Sequence, residues 1–322
     1  MRLTGTFLDE ISYDIPHQNW GYQEWDRDFA AMAAMGIRRT ILIRAANERF
    51  MTFPSKVIPA RCKDSAWHTP PVDLIDMFLE LAEKHGMEFF AGTMHHIHDA
   101  FEDWTDAQFK DEASLNKELI QEIQERYGHR KAFAGWYLTH EVSATHPGVI
   151  ELFNEQGACA HQVSGGKPTL ISPYFAGVKV KDATHDPNAY VLSVEAHEAH
   201  WREVFKSIKG NVDIVAFQDG HVNYDEVHDY LRVTKAAAEA QGIACWSNIE
   251  TFDRDMPITF LPIKWEKFLW KMEEAEKAGI QDAITFEFSH FMSPNSMYQS
   301  AHGLYDRYCE YFGLPARSRD FA

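Results

Sequence analysis

Cysteine is scarce and scattered in this chain: Cys62, Cys159, Cys245 and Cys309 are the four among 322 residues, with no CxxC pair. That spacing suggests neither a disulfide scaffold nor a thiolate zinc site, and free, mostly buried thiols are the expectation. Positive charge is also short. Against 48 acidic side chains stand 31 Lys and Arg, a formal net charge of −17. Binding to nucleic acid or to an anionic membrane needs clustered cations and is not expected. No apolar run approaches the ~20 residues of a membrane span. Arg2-Leu3-Thr4-Gly5 leads straight into a strand without a leader pattern. The chain as given is therefore expected in the cytoplasm, or in the periplasm or outside the cell if a leader has been removed. GxGxxG after the first strand and HExxH are both missing, and no low-complexity linker divides the chain. No cofactor is expected, the oligomeric state has no signature, and a neutral substrate fits the composition best.

What is present is alternation. Eight β-like runs read Leu3 to Leu8, Arg39 to Ile43, Glu88 to Thr93, Ala132 to Leu138, Thr169 to Pro173, Asp213 to Phe217, Ala244 to Ile249 and Ala283 to Phe288. Each is followed by an amphipathic helical pattern, such as Trp25 to Met35, Val72 to His85, Ser114 to Tyr127 or Trp265 to Ala278. Helix, glycine, strand recurs in AAMGIRRTILI, AEKHGMEFFAG, EAQGIACWSNI and EKAGIQDAITF, where the glycine supplies a left-handed helix cap. The pattern predicts an α/β fold, a single (β/α)8 TIM barrel over residues 1–322, in preference to two domains. Its long loops, Arg44 to Pro71, Tyr174 to Val194, Thr251 to Lys264 and Ser289 to Asn295, all follow strand carboxyl ends. In such a barrel that is the face where function is built.

Polar residues gather at those ends: Asp9 and Glu10, Arg44, His95 with His96 and His98, His140 and Glu141, Tyr174, Gln218 and Asp219, Asn248 and Glu250, then Glu287. Strand alternation sends every second side chain to one face. It groups Tyr137, Thr139 and Glu141, and likewise Trp246, Asn248 and Glu250, toward the barrel mouth. In Ile284-Thr285-Phe286-Glu287-Phe288 it assigns the apolar residues to the helices and points Thr285 and Glu287 inward, with Arg44 as a partner for Glu287. Strands four and seven lie nearly opposite, so Glu141 and Glu250 could reach one glycosidic bond from two sides. A gap of ~5 to 5.5 Å between them would mean retention and ~6.5 to 9.5 Å inversion. Asp219 is a second candidate partner for Glu141. Trp67 and Trp246 are candidates to stack on a sugar face, with Asp9, Gln218 and Asn248 supplying hydrogen bonds.

The blocks GTFLDE, GWYLTHE, FQDG and FEFSHFMSPN resemble those of an uncharacterised bacterial family of glycosidase-like barrels known as a domain of unknown function. The resemblance runs from about Leu3 to Phe312. A Glu ending strand four and another ending strand seven is also the arrangement of the large clan of retaining (β/α)8 glycoside hydrolases. That resemblance implies Glu141 as general acid/base, Glu250 as nucleophile, and an oligosaccharide or glycoside as substrate. The clan places Asn before its strand-four Glu to bind the sugar 2-hydroxyl; here His140 stands there. With Asp219 as a further catalytic candidate, the substrate-binding candidates are Asp9, Arg44, Trp67, His95, His140, Tyr174, Gln218, Trp246, Asn248 and Glu287. Two alternatives stand beside the hydrolase. One is a metal-dependent sugar isomerase or epimerase with Glu141, Asp219, His95 and Glu287 as ligands; the other is a carbohydrate-binding barrel without turnover.

Overall fold

Apolar strand and amphipathic helix alternate until the last strand pairs with the first. The computed structural model describes residues 1–63, 66–96, 103–143, 147–181, 190–258 and 260–315. Within them run eight parallel strands: β1 (Leu3–Leu8), β2 (Arg39–Leu42), β3 (Glu88–Gly92), β4 (Phe133–Tyr137), β5 (Thr169–Ile171), β6 (Ile214–Gln218), β7 (Ala244–Asn248) and β8 (Ala283–Thr285). They form a closed barrel in sequence order, with β8 beside β1. Around it lie α1 (Tyr22–Met35), α2 (Leu74–His85), α3 (Asp106–Tyr127), α4 (Pro147–Ser164), α5 (Val194–Ile208), α6 (Val227–Glu239), α7 (Trp265–Lys277) and α8 (Gln299–Phe312). This is a (β/α)8 barrel. Closing the sheet abolishes its edges, so every strand finds two partners.

Local sequence sets the helix ends. Asp73 accepts a hydrogen bond from the Asp76 N–H at the start of α2, and Thr105 with Gln108 forms a capping box on α3, each satisfying amides that the helix leaves open. Gly36 and Gly86, at φ of 94° and 69°, end α1 and α2 in the left-handed conformation that other residues adopt only at a cost.

Two apolar layers follow. Trp25, Phe29, Phe78, Trp136, Trp201 and Phe217 pack between barrel and helices; Phe7, Ile41, Phe90, Tyr137, Trp246 and Ile284 fill the barrel itself. Each fully buried side chain of this size contributes about 1.5–3 kcal/mol relative to exposure. All four cysteines are free and buried. Among the described residues no helix is long and apolar enough to cross a membrane.

The structure corrects the reading of β8. It stops at Thr285 because the Glu287 side chain accepts from the Ser289 and His290 amides and caps a short helix, Phe288–Phe291. Ile284 therefore packs inside the barrel, and Phe286 faces the mouth. The barrel interior needs an apolar layer, and here β8 supplies it with the residues that alternation alone had turned outward.

The last residue of β3 packs tightly on β2. A Cβ on Gly92 would lie 2.3 Å from the Leu42 carbonyl oxygen and 2.9 Å from the Arg44 nitrogen, both backbone atoms that cannot rotate away. Gly92→Ala is expected to lower the unfolding free energy by about 1–3 kcal/mol. Urea denaturation checks this, and an unchanged midpoint would contradict the packing.

Candidate active site

Beyond the end of β4 the alternation continues. Tyr137 packs inside the barrel, Thr139 gives its hydroxyl proton to the Ile43 carbonyl at 3.0 Å, and Glu141 lines a cavity at the mouth. His140 takes the other face. It is fully buried, with Nε2 3.0 Å from Glu112 Oε1 on α3 and its ring 4.9 Å from that of His95. On β7 the same parity puts Trp246 in the barrel interior and both Asn248 and Glu250 in the cavity wall.

The cavity encloses about 280 Å³. Asp9 and Asp14 reach it from the loop after β1, and Arg44 from the end of β2. Tyr174 enters after β5, and Gln218 and His221 come from the end of β6. Asn248, Glu250 and Arg254 enter from β7 and its loop, and Phe286 from β8. Asp9 Oδ1 accepts from the Ile11 and Ser12 amides at 3.1 and 3.0 Å, which fixes the carboxylate against its own loop. Asn248 donates to Ser172 Oγ at 3.1 Å, and Gln218 donates to the Ser172 carbonyl at 2.9 Å. Both amides are therefore held in place before any ligand arrives.

Glu250 is the most tightly held carboxylate of the set. Arg254 donates to it twice, Nε to Oε2 at 2.7 Å and Nη2 to Oε1 at 2.6 Å. Its backbone is bracketed as well: the N–H donates to Asp219 Oδ1 at 3.1 Å, and the carbonyl accepts from Lys271 Nζ at 3.1 Å. Asp219 and Lys271 are themselves 2.6 Å apart and buried. Gly220 leaves the space: a Cβ there would fall 1.9 Å from Glu250 Oε2.

These surroundings move the two glutamates in opposite directions. Burial pushes the Glu141 carboxyl above its ordinary value, opposed by Arg44 and Arg254 and reinforced by Asp14 and Glu250. Burial would also raise Glu250, but the charge and hydrogen bonds of Arg254, with Lys271 and His221 behind, hold it below the ordinary range. Burial raises Asp219, with Lys271 pulling it down and Glu250 pushing it further up. Burial and the Arg254 charge lower His221 to about 3, which leaves that ring neutral. Beneath Glu141, burial and the Glu141 charge raise the Tyr137 phenol well above its usual value.

Of the residues picked from sequence, Asp9, Arg44, Glu141, Tyr174, Gln218, Asn248 and Glu250 line this one cavity. The others lie elsewhere. Asp219 stands behind Glu250, bonded to Lys271. Trp246 points inward but fills a lower layer, where its ring meets the Arg39 guanidinium at 4.6 Å. Glu287 is fully buried and pairs with His290 at 2.5 Å rather than with Arg44; despite burial, Glu287 raises that imidazole to about 9. Trp67 donates to the Cys62 carbonyl at 2.7 Å, with its ring 6.4 Å from that of His96. His95 packs on His140 and Trp104, and His98 lies outside the described residues. Among the described residues no three His, Cys, Asp or Glu side chains are placed to hold one metal ion. Asp219 and Glu287, two ligands of the isomerase alternative, are each occupied by a buried cation.

Sequence reasoning missed Arg254, Asp14, His221 and Lys271. The first three sit on irregular loops, where no period marks them. Lys271 had a signal: it falls on the buried stripe of α7 with Phe268, Met272 and Ala275, and a lysine at a core-facing position is rarely buried unless paired.

The chain is similar to a solved structure from Bacteroides thetaiotaomicron VPI-5482, provisionally assigned as an alpha-L-fucosidase. The two are 46% identical over 98% of this chain and 94% of that one, with a TM-score of 0.88. Two remoter structures share the barrel. One is a beta-glucuronidase from an uncultured Clostridium sp., at 13% identity and a TM-score of 0.56 over 96% of this chain and 50% of that one. The other is a psychrophilic family 10 endo-beta-1,4-xylanase, at 11% identity and a TM-score of 0.53 over 88% and 86%. All three are named as glycoside hydrolases. No curated protein matches the sequence. The match that spans the chain is to a family profile covering residues 3–298, and the protein belongs to that family, DUF4434, a domain of unknown function.

Proposed function

We propose that the protein is a retaining glycoside hydrolase in which Glu141 is the general acid/base and Glu250 the nucleophile. The observation that carries this is a single cavity lined by Glu141 and Glu250 beside Asp9 and Asp14, in which burial raises Glu141, and Asp14 with it, while Arg254 holds Glu250 low. Opposed acidities of this kind divide acid and base work between two chemically identical groups. The relative assigned as a fucosidase, at 46% identity, supports the class.

Protonated Glu141 donates to the glycosidic oxygen as the bond to the anomeric carbon breaks. Ionised Glu250 attacks that carbon, giving a covalent glycosyl enzyme and a departed alcohol. Glu141, now a carboxylate, takes a proton from water; the water attacks the same carbon, releases the sugar and restores both groups. A carboxylate has about four lone-pair sites, so the two bonds from Arg254 leave Glu250 able to attack. Asp219 and Lys271 set the Glu250 backbone, while Asp9, Gln218 and Asn248 meet sugar hydroxyls.

Replacing either glutamate tests the roles. Glu141→Gln is expected to slow release of an alkyl alcohol by about 10²–10⁴-fold and release of 4-nitrophenolate much less, because a phenolate leaves without a proton. Glu250→Gln should slow both at least as severely. Product analysis by proton NMR checks the retained anomer, and turnover unaffected by both substitutions would sink the assignment.

The pH profile follows from the same shifts. Activity needs Glu250 ionised and Glu141 protonated, so kcat/KM should fall only below the lowered pKa of Glu250 and above the raised pKa of Glu141. The plateau should thus extend on both sides of the ordinary carboxylate range. Arg254→Met removes the cation that lowers Glu250, and its acidic limb is expected to move to higher pH. A profile identical to that of the parent would show that Arg254 does not set the acidity.

A further inference from the structure

One side of the cavity is closed by an apolar wall. Ile15 from the β1 loop, Phe252 and Phe260 from the β7 loop and Phe286 from β8 all line the cavity. Behind them, Phe291 and Tyr298 complete one cluster. Phe252 lies 4.8 Å from Phe260 and 5.5 Å from Phe291, ring centre to ring centre, and Phe291 stacks on Tyr298 at 6.3 Å. The contributing strand ends, β7, β8 and β1, are contiguous in the barrel, and β8 is diametrically opposite β4. The wall therefore faces Glu141 across the cavity.

The wall is also pinned. Asp253 donates its amide to the Leu261 carbonyl and Ile263 donates to the Thr251 carbonyl, both at 2.8 Å, so the β7 loop folds as a short hairpin. Lys267 holds Asp253 at 2.9 Å, Lys179 holds Asp255 at 2.8 Å, and the Tyr224 hydroxyl donates to Asp255 at 2.9 Å. Thr251 donates its hydroxyl to the Glu287 carbonyl at 2.8 Å, tying the hairpin to the β8 end.

Position gives the wall a consequence for substrate choice, one that rests on the glycosidase assignment above. Glu141 protonates the leaving oxygen, so the leaving group lies toward β4. The ring attacked by Glu250 then lies between Glu250 and the wall, and any further sugar attached to that ring would have to pass through the aromatic cluster. The cavity, about 280 Å³, falls just below the ~300–1,000 Å³ range of ligand pockets, which suits one ring. We infer that the protein is exo-acting: it removes one unsubstituted sugar at a time from the non-reducing end, and Phe252, Phe260, Phe286 and Ile15 exclude a second unit beyond it.

The test uses a panel of 4-nitrophenyl α- and β-glycosides of hexoses, 6-deoxyhexoses, pentoses and uronic acids. Alongside run 4-nitrophenyl disaccharides and reducing-end-labelled oligosaccharides of the same sugars. The monosaccharide glycoside that is hydrolysed should outpace its disaccharide counterpart by at least about a hundredfold. Each labelled oligosaccharide should shorten by one unit, with monosaccharide as the first product. Phe260→Ala should narrow the hundredfold preference by about tenfold; if its melting temperature shows that it is unfolded, Ile15→Ala opens the wall from β1. Early release of disaccharide or interior cleavage by the parent would overturn exo action while leaving the glycosidase assignment standing. Should no glycoside be cleaved, that assignment falls. Saturation-transfer NMR on Glu141→Gln with methyl disaccharides then decides the wall's role. Contact confined to the non-reducing ring supports exclusion, and equal contact with both rings overturns it.

Discussion

The period of two along each strand is the constraint on which the mouth of this barrel depends. A closed barrel must fill its interior with alternate residues from every strand, and the same parity carries past the last ladder bond. It is why neighbours His140 and Glu141 have opposite fates, one bonded to Glu112 on a helix and the other facing the cavity. An Asn at position 140 in this backbone would face α3 too. The glycosidase clan's contact from that position to a sugar hydroxyl therefore has no counterpart in the placement of His140; the side-chain amides in the cavity wall are those of Asn248 from β7 and Gln218 from β6.

Parity was legible in the sequence; depth and partners were not. Eight units, their order and the inward position of Glu141 and Glu250 follow from alternation and helix caps. Trp246 shows the limit, because alternation says that it points inward but not how far below the mouth it lies, which depends on strand tilt and stagger. Asp219 shows another. FQDG reads as a second candidate acid at a strand end, and only the packing of α7 brings Lys271 to it. At β8 a local rule was overridden, since capping by Glu287 ended the strand early and put Phe286, rather than Glu287, at the cavity.

Burying so many charges is costly, and the structure offsets the cost unevenly. An ion pair removed from water gains little net stability, because desolvation cancels most of the attraction. The Asp219–Lys271 pair is better understood by what it holds, both backbone polar groups of Glu250. Among the described residues Glu141 has no comparable clamp: burial raises its carboxyl above the ordinary value, with Arg44 and Arg254 opposing. The rise reflects the penalty that an ionised carboxylate suffers there. The two glutamates thus meet burial differently, one paired with a cation and held low, the other raised.

One hairpin carries both the cation on Glu250 and part of the apolar wall of the cavity. The segment that carries Phe252 and Phe260 into the cavity wall also carries Arg254, whose guanidinium lies 4.8 Å over the Phe252 ring while gripping Glu250. Preorganised charge is effective only when its support cannot relax, and here the support is the same aromatic cluster that walls the cavity. A displacement of Phe252 would move Arg254, and so shift both the room for substrate and the charge state of Glu250. Lys267 and Lys179 pair with Asp253 and Asp255 of this segment and so fix the chain on either side of Arg254, although neither lysine lines the cavity.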